Sequence, residues 1–542
     1  MAVATGESPQ SSGARSQAQE PVTEIVAAED YSERFFFGIL TADDGMRREG
    51  VNELVNKLTR SIRGRSFDGG RLFEFHKATV VRLANDAPFP EVREAFRALV
   101  AEAERRGLKM PRCSDSSGFV PGISISSADE RTREIFVDTF LNCGHVSRAV
   151  RMMAHLPDYL VRYIATYRAI MRSPGPLSSP SRFYIGVMAA ARHRSEYLMA
   201  NLRSEFRMHG GDERWLADGD IVPAKLKALI PLNATLAVRP WDLTRAHFDA
   251  LLNGPRDIMW SVGELLSAVV IMVHFHSLAG FANGCGLESD DKEESLVGNP
   301  TSDSLETRST DDLVRVLRNH FESDDASCTS SPEGRTHEVQ DTEDGEALTC
   351  GADCRGVANQ GNGNLRQAVF NAECDTCAGL SVFPLSAVDF DVEKHQIFPY
   401  HDFGWSAEGY SLLSRFNLPL AELLDEQFNT ILSLTDMSLG QTRGVDTAPF
   451  RQAVWYYAQR LLGIEHDDYD YCRMNKVLHR PLKEFVKKVV CQPDTVSRTD
   501  FDRMGLALRT EEKIHLIVLA IEARRQAVLL YGLRVLSQAM EA

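Results

Sequence analysis

The chain has 542 residues, enough for two or three domains because a single core seldom grows past about 250–300 residues. Hydrophobic residues make up 43% and aromatics 8%, so a sizeable core can form and wholesale disorder is excluded. Sixty Lys and Arg stand against 76 Asp and Glu, a formal net charge of -16, which removes nucleic acid and anionic membrane as default partners.

The first 30 residues are polar, without an apolar h-region, and read as a flexible tail and not a signal peptide. No run of roughly 18 apolar residues is found, so no membrane insertion is expected. Ten cysteines without regular spacing suit the reduced thiols of a cytosolic protein.

Residues 31–117 read as a helical extension: PEVREAFRALVAEAERRG from Pro90 is amphipathic and ends at Gly107, as a helix should. Residues 118–286 are almost wholly helical, with short turns at Ser173, Gly210 and Asn253, which makes an antiparallel α-bundle the natural architecture. Within it, one helix is expected across 184–208, opening after Ser179-Pro180, with Ala189 to Ala191 allowing close approach of a neighbour. Residues 287–380 are rich in Ser, Asp, Glu, Thr and Gly and read as a disordered acidic linker. One short helix, DDLVRVLRNHF from Asp311, interrupts it, capped by Ser309 or Thr310. Residues 381–542 are helical again, apart from an extended piece at Phe383–Pro399. The class is all-α.

Several constellations carry chemistry. Arg192, His193, Arg194, Ser195, Glu196 and Tyr197 form a polar cluster in which His193 and Tyr197, and Arg192 and Glu196, share a helix face at i, i+4 spacing. A cysteine there would suit peroxide chemistry; Ser195 cannot cycle through sulfenic acid, and the cluster also reads as an ordinary polar face. GIEHDDYDY, Gly463 to Tyr471, lacks EF-hand spacing and reads either as an N-cap into the next helix or as an acidic-aromatic docking loop.

In the last region Thr435, Ser438, Thr447, Arg451 and Glu512 offer a cation, an anion and hydroxyls, the set a free amino acid needs. They also read as ordinary helix ends, with Thr447 a cap and Glu512 a first-turn acid. Cys350, Cys354, Cys374 and Cys377 have irregular spacing for zinc, and His274 and His276 read as satisfied core or interface histidines, so no metal or other cofactor is expected.

YIGVMAAARHRSEY from Tyr184, GGDERWL from Gly210, WSVGEL from Trp260, GVDT from Gly444 and DDYDY from Asp467 together resemble the sestrin family, across roughly Gly118–Gly286 and Phe383–Ala542. The resemblance implies two alkylhydroperoxidase-D-like helical bundles joined by the linker. It implies a regulator, found in cytoplasm and nucleus, that restrains TOR complex 1 signalling by binding the second GATOR complex through Ser261, Asp467 and Asp468. It further implies that leucine binds Thr435, Ser438, Thr447, Arg451 and Glu512. The chain departs from the family's pattern at Ser195, where the redox cysteine belongs, and at Leu202, where a histidine belongs. With His193 and Tyr197 this leaves a vestigial redox site. An alkyl-hydroperoxide reductase is the competing reading and lacks its thiol. Gly505 stands where the leucine pocket has a tryptophan, and Asp436 and Met437 alter its loop.

Overall fold

A computed structural model describes residues 30–64, 70–111, 118–217, 219–288, 385–504 and 507–541. The expected tail, the linker with its short helix, the four cysteines at 350–377 and Gly505 lie outside the described residues. What is described is all-α, apart from one small hairpin.

After a 3-10 helix at Glu33–Ile39, the described fold continues with α1 (Asp44–Ile62), α2 (Arg71–Asp86) and α3 (Pro90–Arg105). Pro at the first position of α3 and the left-handed Gly107 just beyond it set the ends that the sequence pattern suggests. Asp86 of α2 pairs with Arg151 at 2.8 Å and Arg82 donates to Ser204 at 3.0 Å, tying the extension to the helices that follow.

The longer of those are α4 (Glu130–Cys143), α5 (Arg148–Met153), α6 (Pro157–Met171), α7 (Ser179–Arg192), α8 (Glu196–Met208), α9 (Ile230–Val238), α10 (Arg245–Leu252) and α11 (Val262–Gly284). The C-terminal half holds α12 (Tyr410–Ser433), α13 (Ala448–Arg460), α14 (Tyr471–Val477), α15 (Arg480–Cys491) and α16 (Thr510–Met540). Residues 385–404 are irregular except for a bridge between Phe398 and Ile464, which leaves the described part of the extended piece without a strand partner along its length, and a π-helical turn, Trp405–Gly409, leads into α12.

The two halves share one core, and α11 with α16 forms its axis. Gly532 faces Val269, Gly280 faces Ile521 and Gly284 faces Ile517, so the two helices run antiparallel along their length. A Cβ on Gly280 would stand 2.7 Å from the Val489 carbonyl oxygen, which is why only glycine lets α15 approach there.

α11 corrects one expectation. It is 23 residues long and apolar enough on average to cross a membrane by length and composition, although no such segment was expected; 94% of its most apolar window is buried inside this fold. An all-round apolar helix is what the centre of a large bundle requires.

Buried polar groups mark where the halves meet. Glu522 of α16 accepts from Tyr159 Oη of α6 at 2.7 Å and from Gln427 Nε2 of α12 at 2.9 Å, and pairs with Arg525 at 3.1 Å, all without water contact. Arg524 donates to the Ala237 carbonyl oxygen at 2.7 Å.

Candidate functional site

The polar cluster after Ala191 departs from a single helix. α7 stops at Arg192, Arg194 takes a left-handed φ of 48°, and Ser195 becomes the N-cap residue of α8. Ser195 suits a cap by type, yet its side chain caps nothing; its Oγ is fully buried without a hydrogen-bond partner. The expected i, i+4 faces therefore do not exist. His193 turns to His276 Nδ1 at 3.1 Å and Tyr197 Oη accepts from the Ala149 N–H at 3.0 Å. Arg192 donates to the Leu385 carbonyl oxygen at 2.8 Å. Burial, then the nearby Arg524, hold His193 neutral far below an ordinary histidine. With no base bonded to the Ser195 hydroxyl, the geometry does not activate it as a nucleophile.

Leu202 is buried and, with Phe275, fills the space beside Gly186, where a Cβ would come within 2.8 Å of the Phe275 ring. Ala189 and Ala190 are fully buried, as close helix approach requires. His274 is buried as expected, but both its ring nitrogens lack hydrogen-bond partners, so "satisfied" does not describe it; it stacks on Tyr163 instead. Next to this region lies a cavity of about 80 Å³, with Cys143, His145, Arg172, Tyr197, Leu202 and Glu205 in its lining. Burial raises the Cys143 thiol, leaving it a poor nucleophile at neutral pH.

The five residues of the C-terminal constellation behave differently, because they fall into two hydrogen-bonded groups along the 435–447 segment. Residues 435–443 form a loop and a two-residue hairpin, β1 (Ser438–Leu439) against β2 (Thr442–Arg443), that sequence patterning did not anticipate. Thr447 sits at the N-cap of α13 without capping it; Asp446 accepts the Ala448 N–H at 2.8 Å instead. The Thr447 hydroxyl is thereby released to meet Thr435 Oγ1 at 3.1 Å and to accept from Arg451 Nη1. Arg451, buried, also donates to the Leu432 carbonyl oxygen at 2.8 Å, and burial lowers its pKa.

Glu512 begins α16, accepting the Arg509 N–H at 2.8 Å, the first-turn role expected of it. Its carboxylate also accepts the Gly440 N–H from the hairpin at 2.9 and 3.0 Å. Ser438 receives Arg509 Nη2, which also bonds Asp436 and reaches Glu512 at 3.2 Å. Those hydrogen bonds outweigh the cost of burial and hold Asp436 below the usual carboxylate range.

Sequence reading missed Arg509, the Gly440 N–H and His515. His515 Nε2 donates to the Ile431 carbonyl oxygen at 3.0 Å, and burial takes its pKa down to about 4. The available signal for Arg509 was its place directly before the TEEK that opens a long helix, where an N-cap is ordinarily a short polar residue.

The residues expected from the sequence to dock a partner lie at the other end of α16. Tyr531 Oη donates to the Leu462 carbonyl oxygen at 2.8 Å, which anchors the loop carrying Asp467 and Asp468. Asp470, not either of those two, caps α14 by accepting the Cys472 N–H at 3.0 Å. Asp467 and Asp468 are exposed above a bed of Tyr400, Tyr456, His466 and Tyr469. Ser261 is also exposed and closes a capping box with Glu264 at the start of α11, while Trp260 beside it is buried and donates to the Lys225 carbonyl oxygen at 3.1 Å. Because α11 and α16 are antiparallel, Ser261 and the acidic loop lie toward the same end of the molecule. From Glu512 to Tyr531 the helix rises about 28 Å.

Residues 118–540 match the family model described as PA26 p53-induced protein (sestrin). The chain is 32% identical over 534 residues to the sestrin homolog of Dictyostelium discoideum, covering 92% of this chain and 88% of that protein. It is 32% identical over 477 residues to Sestrin-2 of Mus musculus, covering 83% and 95%. Against Sestrin-2 of Homo sapiens the identity is 31% over 464 residues, covering 81% and 93%.

Proposed function

The chain belongs to the sestrin family, and from that premise we propose that it is a stress- and amino-acid-responsive restraint on TOR complex 1 signalling that acts by binding the second GATOR complex and is released by leucine. The observation that supports the leucine part is a pair of hydrogen-bonded groups along the 435–447 segment: Thr435, Thr447 and Arg451 in one, and Ser438 and Glu512, joined through Arg509, in the other. A buried guanidinium beside hydroxyls suits a carboxylate, and Glu512 suits an ammonium. The exposed Asp467-Asp468 pair and Ser261 give a basic partner an accessible surface at the opposite end of α16, so ligand and partner need not compete for the same space.

Catalysis is not part of the proposal. Ser195 brings no thiol, its hydroxyl has no base, and burial raises both Cys143 and Cys285. Thiol-dependent consumption of an alkyl hydroperoxide by the purified chain would overturn this point.

The test is a thermal shift of the full chain across the twenty amino acids, joined to capture of the second GATOR complex with and without leucine. Leucine at about 100 times its dissociation constant should add about 2.7 kcal/mol of stability. Arg451→Ala and Glu512→Ala should abolish that response, and leucine should reduce capture. Unchanged capture in its presence sinks the release step.

A further inference from the structure

The carboxylate proposed for a ligand's ammonium already has a cation beside it. Three groups donate to Glu512: the Gly440 N–H, the Arg509 N–H, and Arg509 Nη2 at 3.2 Å. The first two are neutral and held by the hairpin and the helix start. Only the third carries charge, and it is the longest of the three contacts.

Arg509 is also the member best placed to move. Its side chain is 33% exposed, and away from Glu512 it keeps Asp436, the Ser438 hydroxyl and Glu511 at 3.0 Å. An arginine that exchanges one carboxylate among three loses little, whereas the neutral backbone donors are fixed in place by the hairpin and the helix start. Asp436 and Ser438 belong to the loop and hairpin, so the same guanidinium fastens that segment to α16.

Resting on the leucine-binding reading of this site, we propose that Arg509 is a built-in competitor. Its guanidinium occupies the ammonium position on Glu512, and a free amino acid binds by displacing it toward Asp436 and Glu511. Affinity for the amino acid is then set by how strongly Arg509 holds Glu512 as well as by the apolar wall.

The ion pair is partly exposed, so its removal should be worth about fivefold in affinity. The experiment is calorimetric titration of the full chain with L-leucine and with N-acetyl-L-leucine, which lacks the ammonium. Arg509→Met should bind leucine about fivefold tighter than the wild type, or bind it where the wild type does not. Arg509→Lys, which keeps a cation, should behave as the wild type. N-acetyl-leucine should gain nothing from Arg509→Met, which separates ammonium exchange from general loosening of the loop.

Leucine bound by the wild type but equally or less tightly by Arg509→Met overturns the competitor and leaves the leucine site standing. Leucine, and every other amino acid, bound by neither protein overturns both. An equal gain for leucine and its acetyl derivative also overturns the competitor, since ammonium exchange cannot produce it.

Discussion

The polar cluster of the N-terminal half and that of the C-terminal half each sit at a helix start, yet they place their polar atoms in opposite ways. Around Ser195 the residues point apart: His193 to His276, Tyr197 to the backbone of Ala149, and the serine hydroxyl to nothing. In the C-terminal half the side chains bond one another in two groups, Thr435 with Thr447 and Arg451, and Ser438, Asp436 and Glu512 through Arg509. A polar group sealed without a partner costs stability, and a linked, partly exposed set can trade partners with a ligand. Mutual bonding, more than burial or residue type, separates the two clusters.

The largest expected effect tests whether the two regions belong to one cooperative unit. Glu522 joins α6, α12 and α16 in the shared core. Glu522→Ala leaves Arg525 buried without its counter-ion and should cost about 3–5 kcal/mol in urea unfolding. Probes in the two halves should shift together. A loss confined to one half would mean that the halves are separate units and the comparison is between two proteins in one chain.

Acid should strain both regions. Burial holds His145 in the first half and His515 in the second at about 4, below the ordinary histidine value of about 6.5. Below pH 6.5 the unfolded chain binds protons that the folded chain does not, so this contribution is complete above 6.5 and lost as pH falls toward 4. Each histidine gives a slope of at most about 1.4 kcal/mol per pH unit. His145→Asn and His515→Asn should each flatten the measured dependence over that window; if only one does, the regions differ in hydration more than the contacts suggest.

Single hydroxyls should give effects of opposite sign. Ser195→Ala removes a buried, unbonded oxygen and should be neutral or stabilising by up to about 1 kcal/mol. Thr447→Val removes bonds to Thr435 and Arg451 and should cost about 1 kcal/mol or more. Thermal unfolding of both variants checks it, and a destabilising Ser195→Ala would restore a structural role to the serine.

How far these differences were legible in the sequence follows from what each depends on. Helix positions depend on local period and end residues, so Pro90–Arg105 and the long helices near 262 and 510 could be read closely. The break at His193–Ser195 could not, because a non-glycine residue at positive φ leaves no local signal and is held by tertiary packing. Membership of the amino-acid set around Glu512 came through resemblance. Arg509 was missed because its partners, Asp436 and Ser438, are about 70 residues away in the chain and meet it only when the hairpin folds onto α16. The 262–284 helix shows the same limit from the other side: composition fits a membrane, and only the fold shows the α16 partner that covers it.

The smallest expected effect concerns the acidic loop, and it tests the division of labour along α16. Asp467 and Asp468 are exposed, whereas Asp470 beside them caps a helix. Asp467→Asn with Asp468→Asn should therefore change unfolding stability by less than about 0.5 kcal/mol, while Asp470→Ala should cost about 1 kcal/mol. If docking uses the pair, the double variant should lose capture of the second GATOR complex and keep its leucine response unchanged. The distance of about 28 Å along α16 makes that separation a physical expectation, since at ordinary ionic strength it exceeds the screening length of about 8 Å. A leucine response that shifts in the double variant would show the two ends coupled through α16 itself, and the partner surface and the ligand site would then be one device.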